Sequence, residues 1–374
     1  MPTLPGLAWQ ECAHARACRG ADLAVACGMR TMNRAIALGL GAAALGVGAL
    51  VFRTLRSRSK RYALDGRVVM ITGGSRGLGL VLAREFARHG ARLVLTARDT
   101  DELARARAEL RSHGADVLAV RCDVTDEADV RDAVTVALDW YGAIDVLVNN
   151  AGTIEVGPVA TMTTADYAEA MGTHFWGPLH MVMSVVPQMR ARGDGRIVNV
   201  SSIGGVVGVP HLVPYSASKF ALTGLSEGLH AELAKDGITV TTVVPGLMRT
   251  GSPRNAWFKG DRAAEHAWFS VSDALPLVAM SAERAARRIV LACRRRESHV
   301  ILSAPAKVAA LLHALVPGLT SSLLAGVNRL LPASEAGPVE PSRGADVETA
   351  VSPSVLTTLS DQAAVRNNEM RARA

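Results

Sequence analysis

The stretch VVMITGGSRGLG, residues 68–79, decides the fold. Residues 68–72 are mostly apolar and predict a buried β-strand, and glycines follow it at positions 73, 77 and 79. Glycines at this spacing permit a tight turn from a strand into a helix, in which no Cβ keeps a ligand away from the backbone. The helical pattern runs on to about His89, so the first N–H groups of that helix would face an anionic group such as a pyrophosphate.

Beyond this stretch, short β-branched runs alternate with longer segments of helical periodicity. The predicted strands are residues 68–72, 92–96, 117–121, 145–148, 196–200, 239–244 and 300–302. Each is apolar enough to be covered on both faces. The pattern predicts an α/β, Rossmann-type, doubly wound sheet of seven parallel strands, forming a single domain over residues 66–303.

Composition excludes several classes of protein. With 374 residues, 49 % hydrophobic and 20 % charged, the chain is neither largely disordered nor a disulfide-stapled miniature. The net charge is +7, but residues 1–66 hold nine basic and three acidic residues and so account for +6 of it. The rest of the chain offers no basic face, so no nucleic-acid partner is expected.

The five cysteines also bear on the class of protein. They are Cys12, Cys18, Cys27, Cys122 and Cys293, and their spacing matches neither a disulfide framework nor a metal site. We therefore expect a reducing compartment and no metal.

The N-terminal region contains a candidate membrane anchor. Residues 35–52 carry no charge and would span about 27 Å as a helix, close to the thickness of a bilayer core. A secretory signal peptide and an Ala-rich helix on the protein surface are the alternatives. The basic linker that follows, residues 53–65, favours a single-pass anchor with the α/β domain facing the cytoplasm. Residues 1–34 are given no function, because Met29 and Met32 stand just before this segment and part of residues 1–28 could be a mis-assigned start.

Two arginines indicate which dinucleotide the glycine-rich turn would bind. Arg98 follows the second predicted strand, where an adenosine ribose should lie, and Arg76 lies within the turn itself. An acidic residue at that strand tip would accept from the ribose 2′-hydroxyl, whereas arginines attract a 2′-phosphate. The sequence therefore favours NADP(H) over NAD(H), unless both arginines are simply solvated surface residues.

Six short segments follow one another along the chain: Thr72-Gly73-x-x-x-Gly77-x-Gly79, Asp123-Val124, Asn149-Asn150-Ala151-Gly152, Ser202, Tyr215-x-x-x-Lys219 and Pro245-Gly246-x-x-x-Thr250. With these segments in this order, the chain resembles the short-chain dehydrogenase/reductase family over about residues 65–303.

The resemblance implies a set of cofactor contacts at the carboxyl ends of the strands. Asp123 and Val124 would contact the adenine, Asn150 to Gly152 would shape the floor of the site, and Pro245 to Thr250 would hold the nicotinamide carboxamide. The complete set of expected cofactor-binding residues is Gly73, Ser75, Arg76, Gly77, Leu78, Gly79, Arg98, Asp123, Val124, Asn150, Ala151, Gly152, Tyr215, Lys219, Pro245, Gly246 and Thr250. Homodimers or homotetramers are common in the family.

Tyr215 and Lys219 are four residues apart on a predicted helix, so both side chains project from one face. A free tyrosine has a pKa near 10, and a nearby ammonium favours its phenolate. The pair could then act as acid in reduction and base in oxidation. By resemblance, Lys219 would also bind the nicotinamide ribose, and Ser202 rather than Ser201 would steady the substrate oxygen.

One position departs from the family pattern. The family usually carries an Asn in the helix before strand five, where it holds a water that links the lysine to solvent, but this chain reads Thr173-His174-Phe175-Trp176-Gly177. His174 could hold the same water or relay protons, since an imidazole both donates and accepts. Alternatively, it is a satisfied helix histidine.

The last third of the chain suggests an apolar substrate and a mixed C-terminus. Apolar side chains cluster where the family carries its substrate lid: Trp257, Phe258, Trp268, Phe269, Leu275, Leu277 and Met280. They favour a steroid-like, retinoid-like or fatty-acyl-derived carbonyl or alcohol, unless they pack beneath the lid.

Residues 304–332 predict two helical pieces, broken at Pro317, that cover the core, lie on a bilayer or meet a second subunit. Residues 333–374 predict a disordered tail.

These observations predict a membrane-anchored, NADP(H)-dependent oxidoreductase acting on a carbonyl or secondary alcohol. A non-catalytic NADP(H)-binding sensor or scaffold is the alternative, supported by the missing Asn. An epimerase or dehydratase using transient oxidation is disfavoured by the glycine spacing and the lack of a separate large substrate domain.

Overall fold

The computed structural model describes residues 61–274, 279–333, 340–347 and 357–370. The predictions for residues 1–34 and 35–52, and for most of the linker 53–65, lie outside the described residues, as do Leu275 and Leu277. Among the described helices, none combines the length and the hydropathy needed to cross a membrane.

The central sheet contains the seven predicted strands, each within about one residue of its predicted bounds. They are β1 (Val68–Thr72), β2 (Arg92–Ala97), β3 (Val117–Arg121), β4 (Val146–Asn149), β5 (Gly195–Val200), β6 (Ile238–Val244) and β7 (His299–Ile301). Their order is β7-β6-β5-β4-β1-β2-β3, and every neighbouring pair is parallel. The prediction of a doubly wound, Rossmann-type sheet is confirmed.

Helices cover both faces of this sheet. Those of the domain are α1 (Gly77–Ala87), α2 (Thr100–Ser112), α3 (Glu127–Tyr141), α4 (Thr164–Met171), α5 (Gly177–Arg192), α6 (Val213–Leu233), α7 (Arg262–Ala274) and α8 (Ala282–Arg294). Their starts follow local chemistry, since the side chain of Asp126, for example, accepts the free N–H groups of Ala128 and Asp129 at the start of α3.

The strand period of two divides the core into two layers. Val69 and Ile71 of β1 pack with α1, α2 and α8 on one face, whereas Val68 and Met70 pack with α3, α5 and α6 on the other. Because all four residues are essentially inaccessible to solvent, β1 lies at the centre of the molecule and its carboxyl end is held rigidly.

Small elements accumulate beyond the carboxyl ends of the strands. They are the short strands Glu155–Val156, Met248–Arg249, Trp257–Phe258, Met280–Ser281 and Ser342–Arg343, the helix Ser252–Asn255, the π-helical turn Gly172–Trp176 and the 3-10 turns Val159–Thr161, Ile203–Gly205, Ala234–Asp236 and Gly344–Asp346. Two of the short strands follow β4 and β6 directly and so extend the molecule above that edge of the sheet.

The C-terminal part confirms one prediction and corrects another. Two helices, α9 (Ala304–Leu315) and α10 (Pro317–Asn328), meet at the predicted break, and α10 buries none of its residues. The prediction of disorder over residues 333–374 is wrong for residues 340–347 and 357–370, because Thr358–Arg366 form helix α11. Ala364 of α11 packs against Gly251, and the polar residues after the helix bond to the domain instead of to water.

Candidate functional site

A cleft of about 780 Å³ lies at the carboxyl edge of the sheet, within the size range of small-molecule sites. The predicted site residues that line it are Gly73, Ser75, Arg76, Gly77, Leu78, Arg98, Asp123, Val124, Asn150, Ala151, Gly152, His174, Ser202, Tyr215, Lys219, Pro245 and Gly246. Gly79 and Thr250 do not line it. Thr250 is buried beside a smaller cavity, and its hydroxyl lies 2.6 Å from that of Ser252.

Close packing explains why the glycines of the turn are required. Gly73 has a φ of +62°, and a Cβ there would lie 2.9 Å from the Cα of Ala151. A Cβ at Gly79 would lie only 2.0 Å from the carbonyl oxygen of Gly73, so Gly79 lets the turn fold onto the start of α1. Asn150 then holds the turn, because its amide donates to the carbonyl oxygens of Thr72 at 3.0 Å and Gly73 at 3.2 Å.

The two arginines at the adenosine end have different surroundings. Arg98 is 70 % exposed at its side chain, and its only near acidic group among the described residues is Asp123, at 3.9 Å. Asp99, which follows it, is occupied as the cap of α2, where it accepts from the N–H of Glu102. Arg76 forms an ion pair of 2.9 Å with Glu102, so Arg98 is the freer of the two cations.

Tyr215, Ser202 and Lys219 meet at the deep end of the cleft. Ser202 follows β5 in extended conformation, and its hydroxyl accepts from the N–H of Gly204 at 3.1 Å and lies within hydrogen-bonding reach of Tyr215. Lys219 donates from Nζ to the carbonyl oxygen of Val200 at 2.9 Å, and Nζ lies 5.7 Å from the centre of the Tyr215 ring. The neighbouring Ser201 hydroxyl faces the backbone of α6 at Lys219, so the two serines are distinguished by geometry.

Burial dominates the electrostatics of this group. It raises the pKa of Tyr215 to about 12, a shift that the hydrogen bond with Ser202 opposes. It also lowers the pKa of Lys219 to about 7. Besides burial, the groups that shift the pKa of Tyr215 are Ser202 and Asp273, so the expected effect of Lys219 on this tyrosine stays a prediction.

His174 lies in the π-helical turn, fully buried, with its ring edge-on to Tyr215 at 5.3 Å between centroids. Nε2 accepts from the N–H of Thr153 at 3.2 Å, and Nδ1 lies 2.8 Å from the hydroxyl of Ser218, which donates to the carbonyl oxygen of Tyr215. These partners require the neutral tautomer protonated at Nδ1. Burial and the nearby Lys219 hold the pKa of His174 well below its usual value, so both nitrogens are satisfied within the protein.

An aromatic wall faces the Tyr215 end of the cleft. Trp257, Trp268 and Phe269 line it, whereas Phe258 packs beneath in the core and Met280 pairs with Met248 outside it. The predicted apolar lining is thus present, but fewer of the expected side chains contribute to it.

A buried carboxylate fixes the position of this wall. Glu265 of α7 is completely buried, and its two oxygens contact Nδ1 of His211 at 2.7 Å and Nε1 of Trp268 at 2.6 Å. His211 precedes α6 and has a φ of +60°. Glu265 therefore connects the helix that carries the wall to the loop that leads into the helix of Tyr215 and Lys219.

Besides Asp99, which caps α2, three acidic residues of the cleft were missed by sequence analysis. Glu102 pairs with Arg76, Asp273 lies buried at the end of α7 with a pKa raised to about 8 by burial and then by Glu369, and Glu369 enters from the C-terminal segment. No local pattern marks Asp273 or Glu369. Glu102 could have been found, because it lies in the first turn of a helix that begins at the end of β2.

Comparison with known proteins agrees with this arrangement of the cleft. The sequence model of the family described as short chain dehydrogenase matches residues 67–258. "Granaticin polyketide synthase putative ketoacyl reductase 1" of Streptomyces violaceoruber is 43 % identical over 185 residues, which cover 49 % of this chain and 68 % of that protein.

Two solved structures are similar as well. A short-chain dehydrogenase/reductase from Burkholderia phymatum in complex with NAD superposes with a TM-score of 0.64, 27 % identity and coverage of 69 % of this chain and 96 % of that one. A gluconate 5-dehydrogenase from Burkholderia cenocepacia J2315 in complex with NADP and tartrate gives a TM-score of 0.59, 28 % identity and coverage of 67 % and 98 %.

The chain belongs to the short-chain dehydrogenase/reductase family, whose members are oxidoreductases acting on CH–OH groups and their carbonyl counterparts. Its structural neighbours bind either NAD or NADP.

Proposed function

We propose that this protein is an NADP(H)-dependent oxidoreductase that transfers hydride between the nicotinamide ring and the carbonyl or secondary-alcohol carbon of an apolar substrate. The observation that carries the proposal is one cleft that joins the start of α1 to Tyr215 and Ser202. The similarity to a protein named as a ketoacyl reductase supports carbonyl chemistry.

The residues of the cleft fit a dinucleotide. The glycine-rich turn leaves the first N–H groups of α1 without a side-chain cap, and a Cβ-free Gly77 opens the backbone toward the cleft. When bound, the nicotinamide supplies or accepts the hydride. Asn150 holds the turn in place, and Lys219 lies where it could bind the ribose hydroxyls.

Proton transfer in this proposal belongs to Tyr215. With a pKa of about 12, its phenol carries its proton at neutral pH and is ready to give it to a carbonyl oxygen during reduction. Ser202 donates a hydrogen bond to the same oxygen and stabilises the charge that develops there. The ammonium form of Lys219 stabilises the phenolate that remains, which makes its protonation near neutral pH important.

Arg98 supports the choice of NADP(H). It is the more exposed of the two arginines and lies at the end of β2, so its guanidinium is available for a bidentate contact with a 2′-phosphate. Asp99, which also lines the cleft, already uses one of its carboxylate oxygens to cap α2. The presence of Glu102 beside Arg76 makes Arg98 the main contributor.

The apolar character of the substrate follows from the wall formed by Trp257, Trp268 and Phe269. Indole and phenyl rings at these positions bury apolar surface and leave little to bind a sugar phosphate.

We also propose that residues 35–52, outside the described residues, anchor the domain to a membrane, where apolar substrates partition. Release of the protein from washed membranes by salt alone would contradict this anchor.

The test of the proposed function is NADPH absorbance during incubation with a panel of apolar ketones and aldehydes. We expect consumption that is abolished in Tyr215→Phe and retained in Tyr167→Phe, a control on α4 whose side chain does not line the cleft. Tight NADPH binding without consumption across the panel would favour a cofactor-binding sensor or scaffold instead.

A further inference from the structure

The C-terminal segment, residues 357–370, contributes Glu369 to the proposed cofactor cleft. Helix α11 buries Ala363 and Ala364, and the chain then turns at Asn367 so that Asn368 and Glu369 reach the glycine-rich turn. Glu369 is half-buried and lines the cleft together with Gly77 and Ser75.

The segment makes hydrogen bonds with the backbone of the glycine-rich turn. Gly77 is the first residue of α1, and its N–H donates to the carbonyl oxygen of Asn367 at 2.9 Å. An N–H at this position has no partner within its own helix and is the type of donor that binds phosphate. The Asn368 amide donates to the carbonyl oxygens of Ser75 at 2.8 Å and Glu102 at 3.0 Å.

The carboxyl group of Glu369 fills the space between two loops of the cleft. One oxygen accepts from the N–H of Gly251 at 2.6 Å, and the other lies 3.4 Å from the amide nitrogen of Asn255. On the opposite side, a Cβ at Gly77 would lie 3.1 Å from that second oxygen. The carboxyl group thus bridges the start of α1 and the loop after β6, where a dinucleotide laid across the carboxyl edge would place its pyrophosphate.

We propose that this C-terminal segment is an intramolecular competitor of the dinucleotide, with Glu369 in the pyrophosphate position, so that cofactor binding requires its displacement. The carbonyl oxygen of Asn367 already occupies the N–H of Gly77, and the carboxyl group of Glu369, held by the N–H of Gly251, fills the space beside it. The inference rests on one part of the proposed function, namely that the cleft binds a dinucleotide. The enzyme would then exist in a closed form, with the segment docked, and an open form that binds cofactor.

Two substitutions in the full chain test the competition. Glu369→Ala removes the carboxyl group, and Asn368→Gly removes the amide contacts while keeping a residue that tolerates the φ of +60° at this position. Both should tighten NADPH binding by about threefold to tenfold, since the competent fraction of the protein rises. Glu340→Ala is the matched control, because Glu340 is an exposed acidic residue of the same C-terminal region outside the cleft.

The affinity is measured by fluorescence titration with NADPH in the absence of substrate, with thermal unfolding to confirm that each variant is folded. Unchanged or weaker binding in both folded variants would overturn the inference and leave the proposed function standing. If neither the native chain nor the variants bound NADPH or NADH, the proposed function would fail as well.

Hydrogen exchange gives a second readout that does not depend on the variants. The N–H groups of Asn367 and Glu369 are bonded within the docked segment, to the carbonyl oxygens of Ala363 and Ala364. Saturating NADPH should increase exchange across residues 357–370. Increased protection of these amides would show that the segment closes over the cofactor instead, and would contradict competition.

The competition should also depend on pH. Burial raises the pKa of Glu369 to about 7, opposed by the hydrogen bond from Gly251, and the charged groups that face it are Arg76, Glu102 and Asp273. A free Glu titrates near 4.3, so docking is favoured when the carboxyl group is protonated and is weakened as pH rises through about 7. NADPH affinity should therefore rise between about pH 5 and pH 7 more steeply in the native chain than in Glu369→Ala, and equal slopes in this range would contradict the linkage.

Discussion

Arg98→Ala tests the cofactor preference through a single side chain at the end of β2. The Arg98 guanidinium is 70 % exposed and lies 3.9 Å from Asp123, so its charge is only weakly compensated before a ligand binds. A charge-assisted hydrogen bond is worth about 1.5–3 kcal/mol, and screening at an exposed site reduces this to about 1–2 kcal/mol. The substitution should then weaken NADPH binding by about 5- to 30-fold.

The same change should leave NADH binding within about twofold, because NADH has no 2′-phosphate. The assay is fluorescence titration of both cofactors at fixed ionic strength, since the contact is electrostatic. Arg121→Ala is the matched control, as Arg121 ends the adjacent strand, is similarly exposed and pairs with Asp129 outside the cleft. Equal losses for NADPH and NADH, or no loss for either, would refute the reasoning.

Four other substitutions, at three positions, test His174, the aromatic wall and the stability of the domain. For His174→Asn and His174→Leu we expect a lower free energy of unfolding, by about 1–3 kcal/mol for the Leu variant. The shape of the pH profile of turnover should stay the same, because the native ring stays neutral. A changed profile would indicate a proton relay. Glu265→Gln should raise KM for apolar substrates more than it lowers kcat, because it weakens the hold on Trp268, and a loss confined to kcat would contradict this role. Burial alone would raise the pKa of Asp145, but hydrogen bonds from Val68, Arg192 and Arg67 hold this pKa below its usual value. The ionised carboxylate therefore stabilises the folded protein above about pH 4, and this contribution is lost as pH falls. Asp145→Asn should cost about 2 kcal/mol at neutral pH and flatten acid unfolding, and an unchanged acid transition would be the contrary result.

The sheet was predictable because its strands are buried on both faces. A run such as residues 68–72 must be extended and apolar wherever helices cover it, and Gly73 and Gly79 after it are required by backbone contacts of 2.9 Å or less. The order of six motifs then placed Tyr215, Ser202 and Lys219 in one cleft, as the structure does.

The contacts that depend on distant parts of the chain could not be predicted. Glu369 follows Gly77 by nearly three hundred residues, and nothing in its own neighbourhood marks it for burial. The pKa values of Tyr215 and Lys219 depend on how deeply both are buried, which a spacing of four residues does not reveal. Composition alone also suggested disorder for a segment whose polar side chains find partners on the domain.

The most direct measurement of the central claim follows deuterium from the nicotinamide to the product. NADPH labelled at the transferring C4 position is incubated with the panel compound that is turned over fastest, and the product is examined by mass spectrometry. The account predicts one deuterium on the former carbonyl carbon, in a reaction that Tyr215→Phe abolishes. Product without deuterium, or undiminished turnover by Tyr215→Phe, would contradict it.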